Sequence, residues 1–426
     1  MSQETSKNLR DLLIYQVYVR NYSEEGTFKA LEKDLVRIKD MGVDVLYLLP
    51  IHPIGEKNRK GELGSPYAIK DYYGINEELG NLEDFKSLIQ ETHNLDMKIM
   101  MDIVFNHTSH DSVLSIEHPE YFFKRDGQFD NKVGDWWDII DLDYHQKGLW
   151  TYLIDVMKYW TKLGIDGYRF DVASLLPLDF LSEMKKEVLK INPETIFLSE
   201  SVHGGFCRYL RNQGFHCLSE SEVFQVFDMA YDYDIHPYFE GYLKGELPFK
   251  RYAEELLRQE EIYPSNYIKM RNLENHDFGR FAPMVNNDKD KILQWLALTF
   301  FSRGSTMIYN GQEYLNDHLP DLFNKDVFKR SNKDISKEIY LLNKITKGKI
   351  TSHGSYDIIM QEDDIFVGQY IYENDSLWGI FNLSLAERLV DVTMNDGTYQ
   401  NLFTNEPIEV VNQEIRVKDQ PIIIKT

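Results

Sequence analysis

The chain has 426 residues, 42% hydrophobic, 13% aromatic and 27% charged, which excludes a disordered, collagen-like or coiled-coil protein. Lys and Arg number 47 against 69 Asp and Glu, and the formal net charge of −22 repels nucleic-acid backbones and acidic membrane surfaces as partners. Only Cys207 and Cys217 occur, too few for a stapled secreted scaffold; two reduced thiols are the simplest reading, with a single bridge left open. No apolar run reaches the ~18 residues of a membrane span. The polar N-terminus, with Glu4, Lys7, Arg10 and Asp11, lacks a signal-peptide pattern, so a cytoplasmic location is expected.

In chain order, strand-like Leu13 to Val19 is followed by a helix carrying Phe28, Leu31, Leu35 and Ile38 on one face and closed by Gly42. Val43 to Leu49 is a near-continuous apolar run, the pattern of a parallel sheet covered on both faces. The unit repeats: Asn81 can cap a helix with Leu82, Phe85, Leu88 and Ile89 toward the core, and Lys98 to Phe105 is again a strand. Further strands are expected to begin near Asp166, Ile196, Phe227, Ile268 and Ser305. With the first three they make the eight of a closed (β/α)8 barrel.

The excess length lies mainly after the second and third strands. Residues 107–148, rich in Asp, Gly, His and Trp, read as a small domain inserted in the barrel, whose own parts are 1–106 and 149–348. From 349 to 426 the period becomes that of short alternating runs: Ile365 to Ile371, Leu377 to Asn382, Arg388 to Met394 and Pro421 to Ile424. Turns at Asn374-Asp375 and Asp396-Gly397 separate some of them, as in an antiparallel β domain. The stretch Asn286 to Lys291 reads as a solvated helix start.

A βα barrel does its chemistry at the C-terminal ends of its strands. Here the third strand ends in Asp102 to His107, the fourth in Gly167 to Asp171, the fifth in Phe197 to Glu200, and the seventh runs into Asn275-His276-Asp277. Carboxylates that converge repel unless protons are shared or cations intervene, and a pair about 5 Å apart is the arrangement of retaining glycoside hydrolysis. Asp171 and Glu200 stand on adjacent strands, within reach of that spacing. Arg169, on the same strand face as Asp171, can hold it ionised. A lone Asp171 would more often be a structural partner of Arg169; the joint pattern at four strand ends outweighs that reading.

These motifs resemble the α-amylase family of retaining glycoside hydrolases. DxxxNH at Asp102 to His107, GxRxD at Gly167 to Asp171, the Glu200 strand and NHD at Asn275 to Asp277 match its four signature regions in order and spacing. The segment WDIIDLDY from Trp137 to Tyr144 resembles the family's extra motif in its inserted domain. The resemblance implies a TIM barrel with a domain inserted after the third strand and a C-terminal β-sandwich. It also implies roles: Asp171 as nucleophile, Glu200 as general acid/base, Asp277 as transition-state stabiliser, Tyr67 as aromatic platform, His107 and His276 as sugar ligands, and Arg169 orienting Asp171. The expected activity is hydrolysis of α-1,4 bonds in malto-oligosaccharides or soluble α-glucans. Transglycosylation, phosphorolysis and α-1,6 action in the same family are alternatives, and a non-catalytic binding relative is disfavoured because all three carboxylates are present.

The chain departs from the family at two places. Val172, Ala173, Ser174 and Leu175 replace the Lys-His pair that follows the nucleophile in many endo-acting members, removing an acceptor-side contact and one ligand of the family calcium site. Gly64 stands where exo-acting glucosidases carry an Asp, which disfavours a pocket for a single terminal glucose. No cofactor is required. Asn106 either offers its side-chain oxygen to calcium, as hard cations prefer, or caps a loop. His52, His203 and His216 lack metal-ligand spacing and read as loop residues. Trp136 and Trp137 are divided between stacking on sugar and the inserted domain's core.

Overall fold

The computed structural model describes residues 5–360 and 364–426; Glu4 of the N-terminal reading lies outside them. Eight parallel strands close into a barrel: β1 (Leu13–Val17), β2 (Val45–Leu48), β3 (Lys98–Ile103), β4 (Gly167–Phe170), β5 (Ile196–Ser199), β6 (Met229–Tyr231), β7 (Lys269–Arg271) and β8 (Ser305–Tyr309), with β8 pairing back to β1. Both faces of the strands are covered, which is why the runs are largely apolar instead of alternating, with Gln16 in β1 and Ser305 and Thr306 in β8 as buried polar exceptions. Ile14, Val45, Tyr47, Met100, Leu198, Met229, Met270 and Met307 fill the interior. Their sequence neighbours, such as Tyr15, Leu46 and Met101, pack outward in the main core.

The expected first helix is two, Phe28–Glu32 and Leu35–Asp40. All four of its apolar residues are buried as read. Between the pieces, Asp34 is drawn into bonds with Tyr22, Arg37 and Arg330, so tertiary pairing interrupts a pattern that local period alone would continue. Asn81 caps Leu82–Asn94 in a reciprocal box: its side chain accepts from Glu83 N and Asp84 N, and Asp84 accepts from Asn81 N at 3.1 Å.

Between β3 and the helix Lys147–Leu163 the chain forms a strand pair, His107–Ser109 with Ile139–Asp141, a small hairpin at Lys124–Arg125 and Gln128–Phe129, and a short helix Val113–Glu117. At the C-terminus two four-stranded antiparallel sheets face each other. Val367, Trp378, Ile380, Val390, Val410, Ile415 and Ile424 lie between them. The run from Arg388 keeps strand geometry only to Asp391, and Ser355–Met360, Gly397–Gln400, Pro407–Val411 and Glu414–Val417 complete the sheets. The barrel helix Lys289–Phe301 docks this domain through Phe301, whose ring lies 2.9 and 2.8 Å from where a Cβ would stand on Gly368 and Gly379. Only glycine admits that approach.

Candidate active site

Strand register assembles the mouth of the barrel. Asp102 pairs directly with Arg169 across β3 and β4, and Arg169 with Leu198 across β4 and β5. Two residues on, Asp171 N donates to Ile103 O at 2.9 Å and Glu200 N to Phe170 O at 3.0 Å, so both carboxylates leave neighbouring strand ends. Period-two geometry turns Asp102, Arg169 and Asp171 into the same interior.

Arg169, fully buried, is the hub. Its Nη1 donates to Asp102 Oδ1 at 2.7 Å, to Asp102 Oδ2 at 2.9 Å and to Asp171 Oδ1 at 2.9 Å. Its Nη2 lies 2.9 Å from Glu200 Oε2 as an ion pair. Glu200 Oε2 also accepts from Val172 N at 2.6 Å. That bond requires Val172 in the left-handed region, φ 38° and ψ 45°, a rare conformation for a β-branched residue and one of the kind concentrated at functional sites. With Oε2 engaged by two cationic or N–H donors, Oε1 is the oxygen left to carry a proton. Burial pushes the Asp171 carboxyl well above the ordinary range; Arg169 opposes this, while Glu200, Asp102 and Asp277 reinforce it.

Asp277 is the most open of the three carboxylates, its side chain 38% exposed. Asn275 fixes the turn that carries it, accepting at Oδ1 from Asp277 N at 2.8 Å and from Phe278 N at 3.1 Å, while its amide nitrogen donates to Tyr233. His276 accepts at Nδ1 from Gln16 Nε2 at 3.2 Å, which leaves the ring proton on Nε2, facing Tyr67 Oη. Tyr67 in turn donates to Asp102 Oδ2 at 3.1 Å, beside Tyr47 at 2.9 Å, and its ring stacks on His276. His107 Nε2 stands 4.0 Å from Asp171 Oδ2. The structure thus brings Tyr67, His107, Arg169, Asp171, Glu200, His276 and Asp277 to one mouth. Gln16, Tyr47, Tyr233 and the Val172 amide were missed. Gln16, a polar residue inside an otherwise apolar strand, was the available signal.

Burial drives His107 and His276 down to about 3 and His52 to about 4, so all three are neutral near pH 7. The unfolded chain takes up their protons below about 6.5 and the folded chain does not, so each costs about 1.4 kcal/mol per pH unit as pH falls through that window. His52, 1% exposed and bonded only to Gly74 O, is the cleanest case. Relative to His52→Phe, the wild-type urea midpoint is expected to fall between pH 6.5 and pH 4; parallel curves would show that His52 is protonated in the fold.

The side chain of Asn106 is turned to protein partners. Its Nδ2 donates to Asp141 Oδ1 at 3.2 Å and approaches His107 Nδ1 at 3.1 Å. Asp141, fully buried, accepts from Lys132 N at 2.8 Å, and the Lys132 ammonium stands 3.8 Å from Asp141 Oδ2 and donates to Leu142 O. A positive charge therefore already faces the one carboxylate beside Asn106. No group of three or more His, Cys, Asp or Glu side chains among the described residues is arranged to hold a metal. Calcium needs six to eight oxygens, and it would be repelled by the ammonium. EDTA is expected to leave the Tm unchanged, whereas Lys132→Met lowers stability by about 1–3 kcal/mol by stranding Asp141. A Tm that falls in EDTA and recovers with calcium would contradict this.

Trp136 sits half-buried with its ring 5.8 Å from His107, against a cluster that includes Val172 and Phe206, while Trp137 is 53% exposed at the rim. Cys207 and Cys217 are free and buried. His203 caps the helix Gly204–Asn212, accepting from Phe206 N.

A closed βα barrel with Asp171 and Glu200 ending its fourth and fifth strands and Asp277 in the loop after the seventh is the architecture of a barrel enzyme, and comparison with known proteins specifies the family. Residues 15–340 match the alpha amylase catalytic domain and residues 358–424 the bacterial alpha amylase C-terminal domain; the chain belongs to the α-amylase family. It is similar to an alpha-amylase of Lactobacillus plantarum, at 47% identity over 99% of this chain and 100% of that one with a TM-score of 0.96. It is also similar to a noncanonic maltogenic alpha-amylase of Thermotoga neapolitana, at 32% identity over 98% and 99% with a TM-score of 0.88. Among curated relatives, an alpha-1,4-glucan:maltose-1-phosphate maltosyltransferase of Picrophilus torridus is 31% identical over 264 residues, 55% of this chain but only 41% of the transferase. The match thus spans less than half the length of that relative. No helix among the described residues is long and apolar enough to cross a membrane.

Proposed function

We propose that the enzyme hydrolyses α-1,4 bonds of malto-oligosaccharides with retention of anomeric configuration. The observation that carries this is the sharing of one guanidinium by Asp171 and Glu200, with the Val172 amide fixing one oxygen of Glu200. Arg169 opposes the burial that raises Asp171 and so favours its anion beside the sugar face, while Glu200 keeps Oε1 free for a proton. Asp171 attacks C1 as the C1–O bond breaks, and Glu200 gives its proton to the leaving oxygen. Water then loses a proton to Glu200 as its oxygen attacks C1 and releases Asp171. Two inversions give net retention. Asp277 and the neutral His107 and His276 hold sugar hydroxyls, Tyr67 supplies the stacking platform, and Arg169 orients both reacting carboxylates.

A second reading is transfer, in which a sugar hydroxyl or phosphate replaces water at the glycosyl-enzyme. The likeness to a maltosyltransferase over 264 residues favours it. NMR of products from maltoheptaose, with and without added maltose or phosphate, separates the two. Short α-anomers independent of acceptor support hydrolysis. Longer saccharides or a sugar phosphate support transfer, and β-anomers overturn the retaining mechanism.

A further inference from the structure

Gln16 is the polar residue of β1, fully buried, and its place in the mouth follows from how its amide nitrogen is used. Nε2 donates to His276 Nδ1 at 3.2 Å and to Tyr231 Oη at 3.3 Å. Two chains of hydrogen bonds lead from these acceptors to one carboxylate. In the first, His276 Nε2 faces Tyr67 Oη at 2.5 Å, and Tyr67 donates to Asp102 Oδ2 at 3.1 Å. In the second, Tyr231 Oη donates to Tyr47 Oη at 3.4 Å, and Tyr47 donates to the same Oδ2 at 2.9 Å.

The direction of both chains is set at the carboxylate end. Burial raises the Asp102 carboxyl, but Arg169 Nη1 meets both its oxygens, at 2.7 and 2.9 Å, and opposes the rise, so Asp102 accepts. Burial also pushes the Tyr47, Tyr67 and Tyr231 phenols up, so each keeps one proton to give. Tyr47 and Tyr67 give theirs to Asp102, and their oxygens then receive, Tyr47 from Tyr231 and Tyr67 from His276 Nε2–H. Tyr231 Oη and His276 Nδ1 are left as neighbouring acceptors, and together they need two donors from one buried group. A primary amide nitrogen carries two; a carboxylate carries none. Gln16 Oε1 has no partner among the described residues, so the side chain serves through its nitrogen.

The consequence falls on His276. Its ring is driven down to about 3 by burial and then by Arg169, against Asp102 and Glu200, while Asp277 Oδ2 stands 3.2 Å from Nε2. Three carboxylates thus face it, from β3, from the end of β5 and from its own loop, and an acceptor beneath Nδ1 would tip the ring toward the imidazolium. In the glycosidic transition state the sugar itself becomes positive, and a second cation beside it would oppose that charge. We propose that Gln16 is a positioning residue for the reaction: its amide bars a proton from His276 Nδ1, so that His276 meets the sugar as a neutral donor through Nε2 and adds no positive charge where the anomeric carbon becomes cationic. This rests on the role given above to His276 as a sugar ligand.

The test begins with NMR of the enzyme labelled with 15N-histidine, the His276 ring being assigned by its absence from His276→Gln. The wild type is expected to carry one ring proton, on Nε2, from about pH 5 to pH 8. In Gln16→Glu, whose carboxylate accepts from Nδ1–H, both ring nitrogens are expected to be protonated near pH 7, with kcat on maltoheptaose about 10–100-fold lower and KM changed by less than about 3-fold. Gln16→Met removes the donor without adding an acceptor, so its ring stays neutral and its kcat falls less than that of Gln16→Glu. A role in packing alone would make the two variants alike and raise KM, which would overturn the proposal. So would a wild-type ring protonated at Nδ1, or a Gln16→Glu enzyme with a neutral ring and the wild-type kcat. The ring protons are read without turnover: Nε2–H in a wild type that leaves maltoheptaose uncleaved would support the place of Gln16 and sink the hydrolytic reading instead.

Discussion

Asp171→Asn is expected to lower kcat on maltoheptaose by ~10^4-fold or more while leaving the protein as stable as before or slightly more so. The amide keeps shape and a hydrogen-bond acceptor for Arg169 but cannot bond covalently to C1 as a carboxylate does. It also removes one of the negative charges that crowd the mouth, where Asp102, Glu200 and Asp277 each push the Asp171 carboxyl up. Glu200→Gln separates the roles. On maltoheptaose, whose leaving alkoxide needs a proton, it is expected to cost about 10^2–10^4-fold. On α-maltosyl fluoride, whose leaving group needs none, the first step survives and the glycosyl-enzyme accumulates because no base activates water. Mass spectrometry should then find a maltosyl adduct on the peptide containing Asp171. An adduct elsewhere, or equal losses on both substrates, would sink the assignment.

Much of this arrangement was legible because its determinants are local. Most barrel strands are short, largely apolar runs; Asp171 and Glu200 directly follow the fourth and fifth, and Asp277, six residues past the seventh, was read from its motif. What was not legible depends on closure of the barrel. Gln16 and Tyr47 come from β1 and β2, and only the ring of pairings brings them to His276 and Asp102. Val172 would by local preference be extended; the mouth holds it left-handed, where its N–H meets Glu200. Lys132 gave no signal either, since its nearness to Asp141 depends on how the inserted segment folds back on itself. The interruption at Asp34 has the same origin, distant partners outweighing helical period.

Arg169→Met follows from the same closure, with its largest effect on the fold. The guanidinium is fully buried and meets Asp102, Asp171 and Glu200 within 2.9 Å, so its loss strands three carboxylates; breaking a buried pair of this kind costs about 3–5 kcal/mol. The deficit should depend on pH in a defined direction. Burial already raises the Asp171 carboxyl above its unfolded value, and removing Arg169 takes away the charge that opposes the rise. A group raised in the fold favours the protonated native state, so its contribution to stability is present at low pH and is lost as pH climbs through the folded value. The variant should therefore lie closest to wild type near pH 5 and fall away toward pH 8 in urea unfolding. Its residual kcat/KM should have an acid limb displaced to higher pH, because Asp171 must be ionised to attack. Arg169→Lys restores the charge but not the fork that reaches three carboxylates at once, and is expected to fall between the two. A deficit that is flat with pH, beside an unshifted acid limb, would mean that Arg169 acts by packing alone and that Asp171 stays ionised without it.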